Sequence, residues 1–275
     1  MRLTKHHGLG NDFLVLLDAA GDGSVTPDRV RALCERRRGV GADGFVRATR
    51  PRPADVGPDD GAVAVMELTN ADGSPAEMSG NGIRCLAKAL LAAGWAAGPA
   101  VPIRTAAGLR TVTAHERVDE ATQVFSVDMG AVALGDEAPE WAGGPLRRAR
   151  LVDMGNPHLV VELAPGHTGA VDRDTAEVHL VELGEAVDAK VPGGANVHLL
   201  AIEGSGVAIR SYERGVGLTE ACGTGACASA AAAHAWGLVG ERVPVRMPGG
   251  TAEVALGGTV VLRGPATTVA TVEVP

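Results

Sequence analysis

Cys222-Gly223-Thr224-Gly225 has a partner in the first half of the chain, Ser79-Gly80-Asn81-Gly82, and each tetrapeptide opens an apolar stretch of helical character. A cysteine or serine at that place caps the helix, and the unpaired N–H groups of the first turn carry partial positive charge. A thiolate gains from that charge, so the pKa of Cys222 is expected to fall toward the working pH. The glycines let a substrate carboxylate approach the same N–H groups closely. Two capped helix starts facing one cleft would suit a reaction on both faces of a single carbon.

The repeat runs well beyond these eight residues. Gly94 follows Ser79 at the same spacing as Gly237 follows Cys222, each where a helix of that length needs its C-terminal glycine. Asn70 precedes Ser79 by the same interval as Glu213 precedes Cys222. Gly10-Asn11-Asp12-Phe13-Leu14-Val15 is echoed by Gly155-Asn156-Pro157-His158-Leu159-Val160. Order and spacing recur together, as in a duplicated enzyme.

Composition narrows the class. A chain of 275 residues exceeds the common size of one core, which agrees with two halves. Aromatics are only 3%, so the core must be built from Val, Leu and Ala. A net charge of −8 argues against a nucleic-acid or anionic-membrane surface and leaves small polar substrates as partners. No apolar stretch follows the charged N-terminus, and the longest helical apolar run, Ala226 to Trp236, is too short to span a bilayer, so a cytoplasmic location is expected. Four cysteines there read as buried or catalytic thiols.

These residues need elements to hold them. Thr26-Pro27 begins a helix expected to end in the basic turn Arg36-Arg37-Arg38, which reads as a C-terminal cap. Arg50 to Gly61 reads as a surface loop, and Val63 to Leu68 and Thr122 to Met129 as strands. Gly257-Gly258 between two alternating runs signals a hairpin. The alanine-rich helix from Ala226 is apolar all round and must be enclosed. The fold class expected is α+β, with two pseudo-symmetric domains, each a largely antiparallel sheet or barrel around a central helix. The boundary is expected near 120, giving 1–120 and 121–267, with a last strand, about 268–275, returning to the first domain.

The blocks His7-Gly8-Leu9-Gly10-Asn11-Asp12-Phe13, Asn70-Ala71-Asp72-Gly73-Ser74, Met78 to Cys85, Met154-Gly155-Asn156-Pro157-His158, Glu213 to Gly217 and Ala221 to Gly225 together resemble the diaminopimelate epimerases. The resemblance spans nearly the whole chain. It implies a pyridoxal-independent, two-base proton transfer at Cα between LL- and meso-diaminopimelate, serving lysine and peptidoglycan synthesis, with Cys222 as one acid/base residue. Ser79 takes the place of the other, where the family has cysteine, so the serine reads as a natural variant or a trapping replacement. The resemblance further implies that Asn11, Asn70, Asn156, Asn196 and Arg214 hold the distal amino and carboxylate groups. It implies that Gly80, Asn81, Gly223 and Thr224 receive the α-carboxylate, and that His158 and Glu213 tune the acid/base pair. Gly44 stands where some members have a substrate-contacting glutamine.

Other residues have plainer readings. Cys34 and Cys85 lie on apolar helix faces and read as packing, and His6, His7, His167 and His198 as structural or exposed. No metal site is expected, since no zinc-like Cys/His spacing accompanies Cys222 and Cys227. No cofactor is expected either, because Lys5, Lys88 and Lys190 all lie outside the repeat core. The rival readings are a related racemase or dehydratase with altered chemistry, and a non-catalytic paralogue that binds an amino acid. The sequence leaves a homodimer open.

Overall fold

An alanine-rich helix apolar on every side is stable only when enclosed, and the computed structural model encloses the one that follows Cys222, as it does the more polar helix that follows Ser79, each within strands of its own unit. The structure describes residues 1–23, 25–52, 61–76, 78–171 and 177–275. The chain forms two compact units, 1–128 with 263–275, and 129–262. The crossing falls one strand later than the boundary expected near 120, because 122–128 pairs with 108–117 inside the first unit. The return comes at Arg263, earlier than expected.

The first unit contains β1 (Arg2–Gly8), β2 (Asn11–Asp18), β3 (Gly44–Thr49), β4 (Ala64–Asn70), β5 (Pro75–Ala76), β6 (Ala100–Thr105), β7 (Gly108–Arg117) and β8 (Thr122–Asp128), with helices α1 (Pro27–Cys34) and α2 (Gly80–Ala92). The second contains β9 (Ala133–Glu137), β10 (Leu146–Asp153), β11 (Pro157–Leu163), β12 (Asn196–Glu203), β13 (Gly206–Glu213), β14 (Gly217–Thr219), β15 (Arg242–Met247) and β16 (Gly250–Ala255), with α3 (Glu177–Lys190) and α4 (Gly223–Ala235). The last strand, β17 (Val261–Glu273), begins in the second unit and continues in the first.

Pairing shows the duplication directly. In the first unit β1–β2 is antiparallel, β2–β3 parallel, β3–β4 antiparallel, β4–β6 parallel and β6–β7–β8 antiparallel. There β17 pairs with β8 and β1, closing a ring of eight among the described strands. The second unit repeats the alternation: β10–β11 antiparallel, β11–β12 parallel, β12–β13 antiparallel, β13–β15 parallel, β15–β16 antiparallel, with β9 along β10. A parallel pair needs a crossover; α1 supplies it between β2 and β3, and α3 between β11 and β12.

The central helices behave as their sequences require. Every residue of α2 from Gly80 to Leu90, and of α4 from Gly223 to Ala233, is buried. Both end alike: Trp95 N–H reaches Leu90 O and Gly94 N–H reaches Leu91 O, as Leu238 reaches Ala233 and Gly237 reaches His234. Gly94 and Gly237 take the left-handed φ values, 70° and 72°, that this Schellman ending demands.

Two local expectations are corrected. The helix α1 starts at the expected Thr26 cap but stops at Cys34, with Glu35 as its C-cap, and Arg36 turns away from the helix end to pair with Asp12 and Asp43 at 2.8 and 2.6 Å. The helix α3 has no counterpart among the sequence expectations. Its Leu180 and Val187 pack with Leu159, Val161, Val197 and Leu199. The strands β16 and β17 flank the Gly257-Gly258 bend as anticipated. The expected surface loop at Arg50–Gly61 lies largely outside the described residues. Among those residues no helix is long and apolar enough to cross a membrane.

Candidate active site

Each central helix begins on a side-chain cap. In the first unit Ser79, in extended backbone (φ −139°, ψ 119°), accepts the N–H of Gly82 on Oγ at 3.0 Å. In the second, Cys222 (φ −119°, ψ 114°) accepts the N–H of Gly225 on Sγ at 3.3 Å. Serine is among the best N-caps, whereas cysteine is not a favoured one. A thiol at this place therefore points to chemistry more than to helix stability.

Around Ser79 a directional chain of hydrogen bonds holds the polar groups. The fully buried Arg84 donates from Nη2 to Asn81 Oδ1 at 2.6 Å, Asn81 Nδ2 donates to Asn11 Oδ1 at 3.1 Å, and Asn11 Nδ2 donates to Asp43 Oδ2 at 2.9 Å. Asp43 is in turn fixed by Arg36 and by the backbone N–H of Asp12. Asp12 takes Lys5 at 2.9 Å as well, and these cations hold its carboxyl below the usual range against the cost of burial. Asn11 follows a two-residue turn, Leu9-Gly10, at φ 55° and 83°. A buried leucine in the left-handed region costs on the order of 1 kcal/mol or more, and such strain clusters where a site needs a fixed geometry. Gly8 lets this turn lie against α2, since a Cβ there would sit 3.2 Å from Asn81.

Asn70 is turned to its own loop, donating from Nδ2 to Ser74 Oγ at 3.1 Å. Phe13, Gly44 and Asn70 form one row across β2, β3 and β4. A Cβ at Gly44 would lie 3.1 Å from the Phe13 ring and 3.2 Å from Thr69 O, so that wall is closed by Phe13.

In the second unit the same row carries polar groups. His158 stands opposite Asn196 across β11 and β12, and Glu213 ends β13. His158 Nε2 is 2.9 Å from Asn156 Oδ1, and its Nδ1 is 2.9 Å from His198 Nε2. His198 Nδ1 is 2.8 Å from Ser211 Oγ. Asn196 clamps the strand ends, donating to Pro157 O at 3.2 Å and accepting Arg214 N–H at 3.0 Å. Arg214 is exposed and donates from Nη1 to Gly193 O at 2.6 Å. Glu213 Oε1 accepts the hydroxyl of Thr219 at 2.6 Å.

The electrostatics reverse one expectation. Burial pushes the Cys222 thiol well above its ordinary value, and the nearby Glu213 carboxylate pushes it further by charge and by accepting its proton in a hydrogen bond. Gly225 N–H and Thr224 favour the thiolate but do not outweigh these effects. The helix start alone does not make the resting residue a thiolate. Glu213 instead stands where it can take the thiol's proton. Cys34 and Cys85 are buried with pKa values raised to about 12, in keeping with packing roles.

Comparison with known proteins shows the family. The sequence matches the diaminopimelate epimerase family model over residues 3–134 and 150–269. The chain belongs to the diaminopimelate epimerase family. It is 41% identical to the diaminopimelate epimerase of Thermobifida fusca, covering 98% of this chain and 96% of that protein, and 38% identical to that of Mycobacterium ulcerans, covering 100% and 97%. Its fold is shared with a probable proline racemase from Agrobacterium radiobacter, at a TM-score of 0.72 and 21% identity over 100% of this chain and 92% of that one. This protein is accordingly an isomerase of the epimerase type.

Sequence reasoning missed Asp43, His198 and Ser211. His198, expected to be structural or exposed, is fully buried between His158 and Ser211, and its ring lies against the first turn of α4. A Cβ on Gly225 would fall 2.2 Å from His198 Cε1. Gly225→Ala in this epimerase is therefore expected to destabilise the fold by about 1–3 kcal/mol, the usual cost of overpacking, read as a lower urea midpoint at unchanged slope. An unchanged midpoint would show that the ring does not hold the helix start. The signal for Asp43 was its charge just before β3, which only the pairing with β2 brings under Asn11.

Proposed function

We propose that this epimerase interconverts LL- and meso-2,6-diaminopimelate by two-base proton transfer at Cα, without a cofactor. The observation that carries the reading is the matched pair of helix starts, capped by Ser79 and by Cys222. Gly80 and Asn81, with Gly223 and Thr224, offer first-turn N–H groups to the α-carboxylate, so that charge leaving Cα is stabilised where it develops. Glu213 takes the proton of Cys222, and the thiolate removes the Cα proton. Ser79 delivers a proton in the opposite sense. Asn11, Asn70, Asn156, Asn196 and Arg214 recognise the rest of the substrate, Arg214 by a planar fork that suits a carboxylate. On this reading the enzyme works in the cytoplasm and supplies lysine and peptidoglycan precursors.

The two caps are chemically unequal. With water near 15.7 and a thiol near 8.5, a hydroxyl base is handicapped by on the order of 7 kcal/mol or more unless compensated. In deuterated water one isomer, the one whose Cα proton meets Cys222, is expected to take up deuterium faster than it inverts. The other should exchange slowly. Mass and chiral analysis of both isomers over time measures this, and absence of label from both would overturn the reading.

A further inference from the structure

Four residues of the second unit, Asn156, His158, His198 and Ser211, form one unbroken line of hydrogen bonds at 2.9, 2.9 and 2.8 Å. With the Asn156 oxygen seated against His158, the direction of donation along the line follows. The oxygen of the Asn156 side chain only accepts, so His158 Nε2 must carry the hydrogen between them. Burial depresses the pKa of both rings, that of His198 to about 3, so each is neutral and has one donor and one acceptor nitrogen. His158 Nδ1 is then an acceptor, His198 Nε2 donates to it, and His198 Nδ1 accepts the hydroxyl hydrogen of Ser211. No member of the line can reverse unless all do.

We propose that His198 is a positioning residue that fixes the tautomer of His158 and, through it, the orientation of the Asn156 amide. With its oxygen tied to His158, Asn156 turns its Nδ2 hydrogens outward as donors, the correct polarity for a carboxylate of the substrate. If His158 took the other tautomer, its Nε2 would accept, the amide would turn over, and an oxygen would face that carboxylate. The His198 ring cannot easily yield, because it rests on the helix start at Gly225, whose N–H donates to the Cys222 sulfur. The inference rests on the reading of Asn156 as a substrate contact.

The same arrangement denies His158 a role as general base in this state, since one ring nitrogen carries its hydrogen and the other accepts from His198. Proton acceptance from Cys222 falls to Glu213.

The test replaces the ring's donor while keeping its bulk. His198→Phe still packs on Gly225 but cannot donate, whereas His198→Gln keeps a donating amide nitrogen at similar reach. In the full chain with 15N-labelled histidine and no substrate, His158 is expected to show a protonated Nε2 and an unprotonated Nδ1, assigned by loss of its signals in His158→Asn. In His198→Phe these signals should move toward the average of two tautomers, and His198→Gln should restore them. The KM for diaminopimelate should rise about tenfold or more in His198→Phe, the worth of one hydrogen bond to a charged group, with kcat changed less, and return most of the way in His198→Gln. Unchanged His158 signals in His198→Phe, or equal losses in both variants, would overturn the proposal and leave only a packing role. The spectra need no turnover: if diaminopimelate is not a substrate but His158 is released by His198→Phe, the functional reading fails while the positioning role stands.

Discussion

Ser79→Cys is expected to raise epimerisation of diaminopimelate by orders of magnitude. The backbone of the two caps is nearly the same, with φ/ψ of −139°/119° at Ser79 and −119°/114° at Cys222, and each accepts the N–H three residues on. A thiol can therefore be seated at 79 without rebuilding the helix start, as the second unit already demonstrates. Proton transfer works best when the acid/base pKa lies near the operating pH, and the exchange brings that group down by several units. The helix should lose about 1 kcal/mol or less, because cysteine caps less well than serine. Initial rates of both forms under reducing conditions, beside their urea midpoints, check this. If the variant is no faster, the serine is either competent in another reaction or a bystander, and the two-thiol account is wrong.

Cys222→Ala is expected to reduce deuterium uptake at Cα about a hundredfold to ten-thousandfold, the usual worth of a placed acid/base group, while substrate binding measured by calorimetry stays within a few-fold. Recognition is assigned to the asparagines and Arg214, which alanine at 222 does not touch. A second effect has a defined sign. The thiol is held above its unfolded value of about 8.5 by burial and Glu213, so the folded protein keeps this proton where the unfolded chain has lost it. That contribution is complete below about pH 8.5 and declines as pH rises through the folded pKa. The variant should show a flatter decline of stability at alkaline pH. Turnover that survives Cys222→Ala would remove this residue from the mechanism.

Much of the molecule is legible in its sequence because the informative signals are local. Ser79 and Cys222 cap, Gly94 and Gly237 terminate, and the stretch after Cys222 has no polar face to show to water, so one enclosed helix follows from neighbouring residues; α2, with Asn81, Arg84 and Lys88 along one face, is enclosed by partners that its own sequence does not reveal. The helix α3 is hidden because Glu177–Lys190 carries three valines and a glycine in mid-helix, which all weaken helix propensity. Gly184 is there because a Cβ would meet the Tyr212 ring at 2.4 Å, a partner on β13 that no local pattern reveals. The line through His198 is hidden for the same reason. His158 and His198 are far apart in sequence and meet only because β11 and β12 pair in parallel, with His158 opposite Asn196, which precedes His198 on the same strand face. Arg36 departs from its expected role because a basic residue after a helix suits a cap, while its buried carboxylate partner, Asp12, lies far upstream on β2.

The path of β17 sets an order of events during synthesis. The second unit is one uninterrupted segment and has everything it needs once Leu262 has left the ribosome. The first unit does not, because β1, made at the start, must wait for the later part of β17 to pair from Leu3↔Val272 to His7↔Thr267. At about 5–20 residues per second the delay between β8 and that strand is on the order of ten seconds, during which β1 and β8 expose unpaired edges of the kind that recruit other chains. The half of the molecule translated first is thus the half completed last, and a chain ending just after Leu262 would carry a finished second unit tethered to an open seam.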